Sequence, residues 1–154
     1  MQNTIPTHVT IIMDGNGRWA EAHGKKRIEG HFEGVESVRD CCEYAAEIGI
    51  KYLSLYAFST ENWGRPKDEV VGLMALMARS VLNERPVFMK NNIRFRVIGN
   101  REQLPPELCE DIREAEEETS GNFGLTLIVM LNYSGKWDIL QATQRYAEDV
   151  RRGV

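Results

Sequence analysis

The chain has 154 residues, enough for a single domain that buries roughly two thirds of its unfolded surface, which excludes a disulfide-stapled miniprotein. Its 42% hydrophobic and 27% charged residues and a mean hydropathy of -0.40 are those of an ordinary globular chain, with no apolar run long enough to cross a bilayer. A net charge of -4 and a pI near 5.5 speak against a general nucleic-acid binder, which needs a basic surplus to neutralise phosphates, so phosphate recognition must be local.

The first residues, MQNTIPTH, lack the charged start and apolar core of a signal peptide, and the chain reads as cytosolic. Val9 to Met13 is a β-branched run that reads as a strand, and the DGNGRW that follows reads as a turn broken by two glycines. From Gly30 to Glu47, Val35, Val38, Cys42, Ala45 and Ala46 recur at helical spacing, with Gly49 as a stop signal. Tyr52 to Phe58 (YLSLYAF) is a second strand, followed by the polar segment STENWGRP. Pro66 opens a long helix whose first turn carries Asp68 and Glu69, where the helix dipole favours acids. That helix is apolar around much of its circumference, which fits either a fully buried helix or one face lining a cavity for a long hydrocarbon, with methionines as adaptable wall material.

Ile93 to Ile98 (IRFRVI) is a third strand, Pro105 and Pro106 start another helix, Leu125 to Leu131 (LTLIVML) is a fourth strand, and a last helix runs from about Trp137 to Arg152. In the acidic stretch 107–118, Leu108, Ile112 and Ala115 are expected to face inward while the acids stay solvated. Strand and helix alternate throughout, so the expected fold is α/β, a mostly parallel central sheet flanked by helices on both faces, because parallel neighbours need crossovers. No internal repeat, low-complexity tract or linker divides the chain. Cys41, Cys42 and Cys109 form no CxxC pair and are expected as buried or half-buried helical thiols, indicating neither a disulfide framework nor a zinc knuckle.

In open α/β sheets ligands lie outside the carboxyl ends of the strands, and here those positions are rich in polar chemistry. Asp14, Gly15, Asn16, Gly17 and Arg18 follow the first strand, Ser59, Glu61, Asn62, Trp63 and Arg65 the second, and Asn132, Tyr133, Ser134 and Gly135 the fourth. DGNGR reads as a phosphate cradle: small residues admit close backbone approach, a helix start offers free N–H groups, and Arg18 adds a two-pronged partner. Asp14 beside an anion suits a Mg2+ bridging carboxylate and phosphate, and the competing explanation is an Asx-turn that merely ends a strand. Arg27 and His31 return toward the same region. From Asp14 to His31 the chain carries four basic and three acidic residues, so no large positive field exists there. HExxH, P-loop and GxSxG patterns are absent, and no histidine stands near a Ser or Cys in a way that suggests a nucleophilic triad, which leaves chemistry that runs on charge stabilisation.

HVTIIMDGNGRWA at 8–20, GHFEGVESVRD at 30–40, YAFSTENWGRP at 56–66 and GLTLIVMLNYSGKWDI at 124–139 resemble, in order, the successive motifs of the cis-prenyltransferases, the undecaprenyl diphosphate synthase family. The resemblance covers essentially all of residues 8–150. It implies one cis-prenyltransferase domain over 1–154 that lacks the family's C-terminal part, in which an RxSGxxR-type motif holds isopentenyl diphosphate and a glutamate reaches the Mg2+ site across a homodimer. It implies Asp14 as the Mg2+-associated catalytic carboxylate, and Gly15, Asn16, Gly17, Arg18, Arg27 and His31 around an allylic diphosphate, with Trp19 packed beside them. Ser59, Glu61, Asn62, Trp63 and Arg65 match the family's mobile loop, with Asn62 in the catalytic set, and Met74 and Met77 would face an elongation tunnel. The implied reaction is Mg2+-dependent condensation of isopentenyl diphosphate with an allylic diphosphate such as farnesyl diphosphate, giving undecaprenyl diphosphate for the bacterial cell wall, in a cytoplasmic enzyme whose lipid product draws it to the membrane periphery. Three other classes compete. A partner subunit without turnover is expected to have lost the Asp14 motif, and a phosphatase with Asp14 as nucleophile wants a second acid where Asn16 stands. A domain that binds isoprenoid diphosphate without turnover is the main alternative.

Overall fold

The computed structural model describes residues 5–154. Four strands, β1 (His8–Ile12), β2 (Tyr52–Ser59), β3 (Arg94–Ile98) and β4 (Thr126–Tyr133), form one sheet in the order β1-β2-β4-β3. Every pairing is parallel, as the alternation of strand and helix predicts. The helices are α1 (Asn16–Ala22), α2 (Arg27–Glu47), α3 (Lys67–Lys90), α4 (Pro106–Glu118) and α5 (Gly135–Arg152). Among the described residues none is long and apolar enough to cross a membrane.

Register and the two-residue period of a strand sort the sheet into two faces. Ile11, Leu55, Val129 and Val97 share one row. On that side Leu53, Leu55, Phe95 and Leu127 pack into one core with Cys42 and Ala45 of α2, Leu73, Met74 and Phe88 of α3, and Leu108, Ile112 and Ala115 of α4. The last three are the inward positions expected of the acidic helix. The next row, Ile12, Tyr56, Met130 and Ile98, points the other way, and Ile12 and Ile98 are exposed. The tighter cover lies on the first face, since α5, the element that follows β4, has no fully buried side chain.

Helix α4 also closes an edge. Thr119 Oγ1 accepts from the Phe95 amide at 3.0 Å and Glu116 Oε1 from the Val97 amide at 2.8 Å, so the free N–H row of β3 is occupied rather than left as a template for another strand. Differences from the sequence reading are local. The segment after β1 becomes a helix at Asn16, because Gly15 takes the left-handed turn (φ +97°) and frees the next residues to coil. STENWG winds into a 3-10 turn, Thr60–Gly64. Helix α3 is buried on one face only, with Val71 68% exposed, and it carries Pro86 inside. Cys42 is buried and Cys109 half-buried as expected, whereas Cys41 is exposed, one position round the helix from the core-facing Cys42.

Candidate functional site

Parallel strands bring their carboxyl ends to one edge, and the three polar groups expected there emerge from that edge. Asp14 follows β1 and folds onto its own turn, accepting from the Gly15 amide at 2.7 Å and pairing with Arg18 at 2.9 Å. Both side chains are largely exposed. The first helical bond of α1 runs from the Trp19 amide to the Gly15 carbonyl at 2.8 Å, which leaves the Asn16, Gly17 and Arg18 amides with no partner inside the helix.

Absent side chains shape the floor of this cradle. A Cβ on Gly17 would lie 2.8 Å from the Arg27 guanidinium, one on Gly30 would lie 2.0 Å from the Asn16 carbonyl oxygen, and one on Gly34 would lie 2.5 Å from Asn16 Nδ2. Glycine at 30 and 34 therefore lets α1 rest directly on α2. That contact sets Asp14–Arg18 beside Arg27 and His31.

The two halves are tied by a residue that the sequence reading took only as a helix-start acid. Glu69 of α3, almost buried, pairs with Arg65 at 2.9 Å and stands 3.5 Å from the Arg27 Nε, joining the start of α2 to the segment after β2. An acid four residues after Arg65 was the available signal. Arg27 also pairs with Glu21 at 3.0 Å. His31 sits among these charges half-buried, its Nε2 sealed from solvent and without a hydrogen-bond partner. Burial first, then Arg65 and Arg27, hold its pKa below the usual histidine value, against the pull of Glu69.

The remaining predicted residues divide. Asn62 Oδ1 accepts from the Ser59 amide at 3.0 Å and closes the turn on itself. Glu61 is exposed and held below the usual carboxylate range by its own backbone N–H and by Ser59. Trp63 turns inward, away from the open edge, donating from its indole to Asn132 Oδ1 at 2.8 Å. Trp19 stays on the surface, stacked on His23 at 4.4 Å with the Lys25 ammonium 5.1 Å from its ring centre.

Behind the cradle lies an apolar cavity of about 160 Å³ between α2, α3 and the sheet. Met13, His31 and Gly34 border it at the cradle end, and Arg39 and Glu84 at the far end. Met77 lines it as expected. Met74 does not, being buried in the core. No group of three or more His, Cys, Asp or Glu side chains that could hold a metal occurs among the described residues. The donor set fits Mg2+ only as an ion shared with a phosphate: Asp14 supplies one exposed carboxylate, and a bound diphosphate must supply the other charged oxygens.

Residues 12–153 match the family model described as "Putative undecaprenyl diphosphate synthase". The chain is 47% identical over its whole length to an isoprenyl transferase of Fusobacterium nucleatum, covering 67% of that protein. It is 50% identical over 98% of its length to a ditrans,polycis-undecaprenyl-diphosphate synthase, (2E,6E)-farnesyl-diphosphate specific, of Pasteurella multocida, covering 63% of it. Among solved structures, lavandulyl diphosphate synthase from Lavandula x intermedia in complex with dimethylallyl diphosphate superposes with a TM-score of 0.94 at 33% identity over 96% of this chain and 64% of that one. A probable undecaprenyl diphosphate synthase from Campylobacter jejuni gives a TM-score of 0.76 at 33% identity, over 93% of this chain and 62% of that one. The chain thus spans roughly two thirds of the length of these proteins.

Proposed function

The chain belongs to the undecaprenyl diphosphate synthase family of prenyltransferases, and on that premise we propose that it condenses isopentenyl diphosphate with an allylic diphosphate, farnesyl diphosphate by preference, to build undecaprenyl diphosphate for the bacterial cell wall. The observation that carries this reading is the junction of two environments. A polar and basic cluster (Asp14–Arg18, Arg27, Arg65) suited to a diphosphate lies next to an apolar cavity, with His31 at the boundary. The farnesyl specificity in the name of the Pasteurella relative supports the choice of allylic partner.

In the reaction the bond between the allylic C1 and its diphosphate oxygen breaks, the isopentenyl double bond attacks that carbon, and a proton leaves the adjacent position to form the new cis double bond. Negative charge builds on the departing diphosphate. The free amides of Asn16, Gly17 and Arg18 meet that charge already oriented, and the guanidiniums of Arg18, Arg27 and Arg65, each paired with a carboxylate in the free chain, turn to it as it builds, so together they favour the transition state over the ground state. Arg18 must exchange its bond to Asp14 for one to phosphate. Asp14, released from Arg18, would hold a Mg2+ ion, which would supply further charge neutralisation at the leaving group. The tail lies in the cavity. A cavity of this size takes a guest about as large as benzene, so a farnesyl tail requires α2 and α3 to part. Under this reading the enzyme acts in the cytoplasm as a homodimer, and the growing lipid brings it to the membrane periphery.

A second reading, binding of an isoprenoid diphosphate without turnover, is favoured by one observation: the described residues build one diphosphate cradle, and positioning two reactants is a large share of catalysis, on the order of several kcal/mol. Labelled isopentenyl diphosphate, farnesyl diphosphate and Mg2+ are incubated with the chain and extracted into organic solvent, alongside calorimetric titration with a farnesyl thio-diphosphate. Extracted label that Asp14→Ala abolishes, with an unchanged thermal transition, is the expected result. Heat of binding without extracted label selects the second reading, and neither signal overturns both.

A further inference from the structure

One polar residue at the strand ends is used by none of the chemistry above. Asn132, at the end of β4, has no solvent exposure and takes a left-handed backbone, φ +52°. Its carboxamide is fully employed: Nδ2 donates to the Asn100 carbonyl at 2.8 Å and to Gln103 Oε1 at 3.1 Å, and Oδ1 accepts the Trp63 indole N–H at 2.8 Å. Its backbone carbonyl accepts from the Asn100 amide at 3.1 Å. A Cβ on the neighbouring Gly99 would strike the Leu131 carbonyl oxygen, so the segment after β3 presses directly on the end of β4.

We infer that Asn132 is a positioning residue that sets the seat of the 59–65 turn by holding the Trp63 indole. The start of the turn, Ser59, belongs to β2, and beyond the sheet two side chains tie the turn to the body. Arg65 anchors its exit to Glu69 of α3, and Trp63 anchors its middle to Asn132, with the indole edge packed on Phe58 at 5.2 Å between ring centres. The bond between Asn62 and Ser59 holds the turn only to itself. Releasing Trp63 leaves a buried carboxamide oxygen with no other donor, a costly state, so the two anchors fix where Glu61 and Arg65 stand, Arg65 beside the cradle through Glu69 and Arg27. The inference rests on the proposed function only for the statement that this placement serves a diphosphate. The placement itself is readable without ligand.

The test begins on the unaltered chain. The indole N–H of Trp63, assigned by its loss in Trp63→Phe, should exchange with D2O far more slowly than that of exposed Trp19. Equal exchange overturns the inference. In a chain whose only tryptophan is Trp63 (Trp19→Phe, Trp137→Phe), Asn132→Gly, which the left-handed backbone accepts, should shift the emission to the red and raise acrylamide quenching with far-UV circular dichroism unchanged. A lower melting temperature with unaltered Trp63 emission shows a purely structural Asn132 and also overturns it. In the natural chain, Asn132→Gly should weaken farnesyl thio-diphosphate binding by about tenfold, the scale of one lost buried hydrogen bond. Trp63→Phe should weaken it similarly, and the double variant no further. Additive losses overturn the coupling. Should the unaltered chain bind no diphosphate, the proposed function fails, and the exchange and emission results still decide the role of Asn132.

Discussion

His31 concentrates the electrostatics of the site in one imidazole. Its Nε2 is sealed without a partner, and burial together with Arg65 and Arg27 disfavours the imidazolium. The sign follows from linkage: with the folded pKa depressed, the unfolded chain binds more protons once pH falls below the ordinary histidine value of about 6.5, so stability is full above that value and declines as pH drops through it. The melting temperature should therefore fall between pH 7.5 and 5.5, and His31→Gln should flatten that part of the profile; equal slopes for both proteins exclude this source. Binding inverts the balance. Pyrophosphate in the cradle offsets both arginines, and the His31 ring proton in NMR should then titrate at higher pH than in the free chain. Gly30 is a second single-residue test. Its added Cβ meets backbone rather than a side chain that can swing aside, so Gly30→Ala should destabilise by roughly 1–3 kcal/mol, the usual cost of overpacking, read by urea unfolding. Gly24, with open space around it, should tolerate volume far better even though its positive φ disfavours a side chain.

Between elements, the seam that must open for a long tail is held by charge. Arg39 of α2 forks onto Glu84 of α3, with Nη2 at 2.5 Å and Nε at 3.1 Å, while its other nitrogen reaches Glu36 at 2.8 Å. Glu84 is buried, and both residues border the cavity. Removing one partner strands the other, whereas replacing both by apolar residues of similar volume often leaves stability unchanged. Glu84→Gln should lower the melting temperature by several degrees and Arg39→Met/Glu84→Leu should recover most of it; equal losses in both mean that the pair only fills space. Such a seam was not legible in the sequence, because Arg39 and Glu84 look like ordinary surface charges until two helices are laid side by side. What was legible rests on local signals: apolar runs for strands, helical spacing for α2 and α4, and glycines after β1. Glu69 and Asn132 stand out in the sequence as a helix-start acid and a strand-end amide, but their partners do not, because those depend on which segments the sheet order brings together, and the inward turn of Trp63 likewise requires the buried acceptor on β4.

At the scale of the molecule, stability is unevenly distributed, and the sheet shows why. Its inner rows are sealed by α2, α3 and α4 in one continuous core, while the row Ile12, Tyr56, Met130, Ile98 faces out and α5 has no fully buried side chain. Helix α5 is nevertheless strongly amphipathic, with Ile139 71% and Tyr146 72% exposed. Local capping sustains it: Ser134 Oγ accepts from the Trp137 amide at 3.2 Å, and Arg151 and Arg152 stand in the last turn, where the helix dipole favours cations. Those terms amount to about 1 kcal/mol each, too little to keep a helix closed against fraying when the contacts of Tyr133 with Trp137 and Asp138 in its first turn are the main tie to the sheet. Amide hydrogen exchange should consequently be fastest in α5 and slowest in β2, β4 and the buried face of α3, since exchange protection follows burial and local contact density. Replacing Ile139 and Leu140 with lysine should leave the melting temperature nearly unchanged, within the roughly 0.5 kcal/mol typical of surface sites, and should reduce binding of a hydrophobic dye. If the double substitution instead lowers the melting temperature markedly, α5 is packed against the body in solution more tightly than its exposure indicates, and the open row of the sheet is the surface it must then cover.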